Sequence, residues 1–115
     1  MNYKYPKEVR LLTRNEYKRT LFQSKRLVGR SILLEVKQKP NCLLRVGITV
    51  TKRFGKAHDR NLFKRRVRES FRLIRHLLPQ GFDVVIRPRT SANEATLTQI
   101  QDDLLQLLGQ QAMVL

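Results

Sequence analysis

The sequence predicts an α+β fold, a small mixed sheet packed by helices in the order α-β-β-α-β-α. Two stretches, 30–37 and 43–51, alternate apolar and polar side chains at the period of a strand. A third, 52–76, changes to helical period and carries a heavy load of Lys and Arg. Beyond it, an apolar run at 82–87 is followed by a leucine-rich helical pattern from Thr96. At 115 residues the chain is expected to form one domain, 1–115, burying about two-thirds of its unfolded surface without staples.

Residues 1–11 are basic, include Tyr3, Tyr5 and Pro6, and show no periodicity. They read as an extended arm, either ordering on a partner or simply a disordered terminus. Thr13-Arg14-Asn15-Glu16 has capping-box spacing, so a short helix begins near Arg14. Tyr17 and Leu21 lie four apart on its inner face, and core packing is the default use of such a pair. In the first strand Ile32, Leu34 and Val36 point to one side; residues 38–42, with Pro40-Asn41, make the turn. In the second, Leu44, Val46, Ile48 and Val50 face one way and Arg45, Gly47, Thr49 and Thr51 the other. Small side chains at Gly47 and Thr49, beside Arg45 and Lys52, leave room for a strand of nucleic acid; an ordinary half-exposed strand explains them equally well.

Phe54-Gly55-Lys56 forms a turn into the long helix, with Asp59 expected as its N-cap. Free N–H groups there, next to Lys52, Arg53, Lys56 and Arg60, make an anion site. The helix stops before Pro79-Gln80-Gly81. Residues 82–87 read as a buried strand and 88–93 as a loop. Thr96-Leu97-Thr98-Gln99 starts the last helix, with Leu97, Ile100, Leu104 and Leu107 or Leu108 facing inward and 109–115 expected as a loose tail. Asp102 and Asp103 are adjacent and so point different ways around that helix, which excludes a catalytic dyad.

The long helix carries the functional signal. Residues 52–76 hold ten of the 24 Lys and Arg against two acids, Asp59 and Glu69. At roughly 100° per residue, Phe63, Val67, Ser70, Phe71, Ile74 and Leu78 fall on one side. Asn61, Lys64, Arg65, Arg68, Arg72 and Arg75 fall on the other, with Leu62 and Arg66 on the flank. A merely solvated face mixes signs to limit self-repulsion. This one does not, and a row of like charges repels itself unless a polyanion offsets it. The net charge of +15 agrees with that, and it is concentrated in the first two-thirds. From Pro79 onward there are two basic residues, Arg87 and Arg89, against four acids, so the last third reads as scaffold.

Other classes are disfavoured. No apolar run approaches the ~20 residues of a spanning helix, and the basic helix lacks a lipid-seeking face. The first residues have no apolar core of a secretory signal, and the one cysteine, Cys42, excludes an internal disulfide; both suit a cytoplasmic protein. His58 and His76 are eighteen residues apart and the acids are scattered. No nucleophile constellation, phosphate-cradling loop or metal-ligand spacing is present. On residue chemistry alone, this is a binding module without catalytic or metal residues of its own.

Arg60-Asn61, Lys64-Arg65 and Arg68-Glu69, preceded by Phe54-Gly55-Lys56-Ala57, resemble the signature of the bacterial ribonuclease P protein subunit. The likeness runs from about Leu12 to Leu108, and departs where Leu62 replaces the second Arg of the family's Arg-Asn-Arg triplet. The resemblance implies a left-handed βαβ crossover through the long helix, where a right-handed one would be the ordinary expectation. It also implies a part in the endoribonuclease that removes the 5′ leader of precursor tRNA, with the RNA subunit doing the chemistry and magnesium bound chiefly by RNA. Lys52, Arg53, Lys56, Arg60, Asn61, Lys64, Arg65, Arg68 and Arg72 are then expected to grip the RNA subunit. Tyr17, Leu21, Arg45 and Thr49 are expected to line the cleft for the leader. The implied partners are the ribonuclease P RNA and precursor tRNA, with no membrane and no obligate protein partner. A ribosomal-protein-like structural role is the alternative: the basic helix fits it equally, and the spacing of the basic pairs disfavours it. A DNA-binding helix-turn-helix is weaker, because strands are expected where its first helix would lie.

Overall fold

Thr13 opens the first helix by the expected capping box. Its hydroxyl accepts from the Glu16 N–H at 3.1 Å while the Glu16 carboxylate accepts from the Thr13 N–H at 2.9 Å. The computed structural model describes residues 9–11, 13–89 and 96–114, with side chains only as far as Gln110. Its elements are α1 (Arg14–Leu21), β1 (Lys25–Val28), β2 (Ile32–Gln38), β3 (Arg45–Ile48), α2 (Ala57–Ile74), β4 (Phe82–Pro88) and α3 (Leu97–Val114). The predicted order is present, with one short strand, β1, added after α1.

The sheet runs β1-β2-β4-β3, with β3 parallel to β4 and the remaining pairs antiparallel. Strand alternation gives it two unlike faces. Ile32, Leu34, Val36, Val46, Val84 and Ile86 face the two long helices. They are buried with Phe63, Val67 and Phe71 of α2 and with Ile100, Leu104, Leu107 and Leu108 of α3. Burial of this layer, at about 25 cal/mol per Å² of apolar surface, is the main force holding those helices on the sheet. The predicted apolar side of α2 is the buried one: Phe63, Val67, Ser70, Phe71 and Ile74. Ser70 satisfies its buried hydroxyl on the carbonyls of Arg66 (2.7 Å) and Leu97 (3.1 Å), which ties α2 to the start of α3.

Three expectations are corrected. The N-cap of α2 is Lys56, whose backbone is extended, and not Asp59. Asp59 sits in the first turn and its carboxylate accepts from the Lys56 N–H at 3.2 Å. It folds so closely over Gly55 that a Cβ there would lie 2.9 Å from its oxygen. Of the expected loose tail 109–115, residues 109–114 continue α3 to Val114, and Leu115 lies outside the described residues. Of the expected arm, Val9 and Leu11 are buried, and the Leu11 N–H donates to the Val46 carbonyl at 3.1 Å. The arm's residues 1–8 lie outside the described residues.

Candidate nucleic-acid interface

The first surface is the outer side of α2. Asn61, Arg65 and Arg68 are exposed, and Lys64 and Arg72 are half-buried. Among the described residues Lys64, Arg65 and Arg68 take part in no ion pair. Arg72 bonds Glu69 at 2.8 Å along the same helix, and that hydrogen bond holds the Glu69 carboxyl below its ordinary value. The other acid, Asp59, is occupied at the helix start. The cations therefore remain a one-sided row. Lys52, Arg53 and Lys56 are exposed at the amino end of α2, with Arg60 half-buried beside them. Phe54 packs its ring on Phe63 at 5.6 Å, which fixes this turn against the helix.

The second surface is the sheet face opposite the core. α1 lies across it, over β2 and β4. Only Thr20 of α1 is buried, so the helix is held largely by polar contacts. Arg45 is at their centre. Its Nε and Nη2 donate to the two oxygens of Asp83 at 3.0 and 2.8 Å, and its Nη1 donates to Glu16. The Asp83 hydrogen bond is the first cause of an Arg45 pKa raised above its ordinary value. Arg45, expected to line the leader cleft, thus lies on this face with its guanidinium held by two carboxylates. Nearby, Glu35 accepts from Arg26 at 2.8 Å and Ser24 at 2.9 Å.

Tyr17 and Gly47 meet on this face. The Tyr17 hydroxyl accepts from the Ile48 N–H at 3.0 Å, and a Cβ at Gly47 would stand 2.6 Å from the ring. The space expected at Gly47 for nucleic acid is filled by this ring. Leu21 and Thr49 are both half-buried. Thr49 opens onto a cavity of about 280 Å³, shared with Thr51, Arg53, Phe54, Arg87, Pro88 and Arg89. Arg53 reaches the cavity from the turn before α2, so the two surfaces adjoin there.

The last third of the chain also contributes to this cavity. β4 and the residue after it deliver Arg87 and Arg89 to it, and the Arg87 Nε is buried with no hydrogen-bond partner among the described residues. An unsatisfied guanidinium nitrogen among two further arginines and two threonines suits an anion. Counting charge by segment hid this, because β4 lies beside β3 only in the folded sheet. Phe22 was also missed; it is 65% exposed at the end of α1, with the Lys37 ammonium 5.6 Å from its ring.

The family described as Ribonuclease P matches residues 5–112. A ribonuclease P protein component from Chlamydia trachomatis serovar D is 42% identical over 102 residues, covering 88% of this chain and 83% of the relative. One from Chlamydia felis is 37% identical over 99 residues, covering 84% and 70%. Among solved structures, the Thermotoga maritima RNase P protein superposes with a TM-score of 0.78 at 31% identity, covering 88% of this chain and 96% of that one. The Staphylococcus aureus RNase P protein gives 0.76 at 25% identity, covering 91% and 96%. With the one-sided basic helix and the polar groove in place, these likenesses establish that the chain belongs to the ribonuclease P protein family, the protein component of an endoribonuclease.

Proposed function

We propose that the outer side of α2 binds the catalytic RNA subunit and that the groove beside α1 receives the 5′ leader of precursor tRNA. The observation that carries the reading is the cationic row of Lys64, Arg65 and Arg68, which no ion pair neutralises among the described residues. Lys52, Arg53, Lys56, Arg60, Asn61 and Arg72 extend it toward the groove. There the leader passes Tyr17, Leu21 and Thr49, and its phosphates meet Arg53, Arg87 and Arg89 at the cavity. Stacking and charge, more than base edges, would hold a single strand in such a groove.

The reaction needs magnesium, and the groove carboxylates do not fit it. Glu16 and Asp83 are held by Arg45, and Glu35 by Arg26 and Ser24. Magnesium binding is therefore assigned to the RNA subunit and substrate. No described helix is long and apolar enough to cross a membrane, and we place the protein in the cytoplasm with its RNA partners. The test is reconstitution with a bacterial ribonuclease P RNA at low magnesium. The protein should restore 5′ cleavage of precursor tRNA; failure to stimulate cleavage would contradict the proposal.

A further inference from the structure

We propose that Glu16, Arg45 and Asp83 form a clamp that positions α1, and with it Tyr17, for the leader, and that Arg45 makes no phosphate contact. The inference rests on the leader reading above. Arg45 commits one nitrogen to Glu16 of α1 and two to Asp83 of β4, while Lys39 approaches Asp83 at 3.4 Å. Asp83 is 2% exposed, so this end of the clamp is fixed in the sheet. Glu16 divides its oxygens: one caps the start of α1 and the other receives Arg45. Tyr17 follows directly, with its hydroxyl on the Ile48 N–H. Helix start, clamp and aromatic ring are thus one connected unit. Since α1 buries little apolar surface, removal of the ion pair should let it shift.

Two roles for Arg45 make opposite predictions. Gln at position 16 can still complete a capping box but carries no charge. If Arg45 positions α1, Glu16→Gln weakens leader binding; if Arg45 contacts phosphate, releasing it from Glu16 strengthens leader binding.

The experiment uses the protein reconstituted with a bacterial ribonuclease P RNA. It compares affinity for leader-bearing and leaderless tRNA across a salt series, for Glu16→Gln, Arg45→Met and their double variant, with Tyr17→Ala as reference. The proposal expects Glu16→Gln and Arg45→Met each to lower the preference for leader by at least about threefold, with an unchanged salt slope. The double variant should be no worse than Arg45→Met. Tighter leader binding by Glu16→Gln, or a slope flattened by about 0.7 in Arg45→Met, overturns the proposal in favour of direct contact. Loss of preference in Tyr17→Ala alone overturns the clamp and keeps the leader reading. No loss in Tyr17→Ala overturns both. Arg45→Met leaves the buried Asp83 carboxylate to Lys39, 3.4 Å away, and is the variant at risk of misfolding; Glu16→Gln, half-buried and still able to cap, decides the sign by itself.

Discussion

At the scale of single residues, Gly47 shows how one missing side chain shapes the groove. The ring of Tyr17 occupies the place a Cβ would take. Gly47→Ala should drive the ring off β3, breaking its bond to Ile48, and cost about 1–2 kcal/mol from the lost hydrogen bond and crowding. Chemical denaturation checks the magnitude. Adding Gly47→Ala to Tyr17→Ala should cost markedly less, because the space is then free. The sequence disclosed that positions 45, 47 and 49 share a face, since alternation requires it. It did not disclose that a tyrosine from another element would fill the gap, or that Arg45 would be neutralised, because both depend on where α1 lands.

At the scale of elements, the segments with a clear period or cap were legible and the short strand β1, which has neither, was not. The buried side of α2 was readable from Phe63, Val67, Phe71 and Ile74, whose spacing reports the core directly. β1 was not, because Lys25, Arg26 and Val28 are exposed and only Leu27 packs against the core. It is held from outside itself. Asp103, 4% exposed, accepts from the N–H groups of Ser31 at 2.7 Å and of Arg30 and Ile32 at 3.3 Å, pinning the turn between β1 and β2 to α3. Asp103→Ala leaves buried donors unsatisfied and should cost about 2–4 kcal/mol, measured by chemical denaturation. The same change at exposed Asp102 should cost under about 0.5 kcal/mol. Equal losses would show that the contact with the turn is not what Asp103 contributes.

At the scale of the whole molecule, the fold sorts charge by surface. Acids near the groove are consumed in ion pairs with Arg26, Lys39 and Arg45, while Lys64, Arg65 and Arg68 on the outer side of α2 take part in no ion pair among the described residues. The net charge of +15 is consequently concentrated where RNA is proposed to bind. The most direct test is the slope of log affinity against log salt for binding to ribonuclease P RNA. Each lost phosphate contact should flatten it by about one, so Lys64→Ala with Arg68→Ala should flatten it by about two without changing thermal stability. An unchanged slope in that double variant would contradict the account.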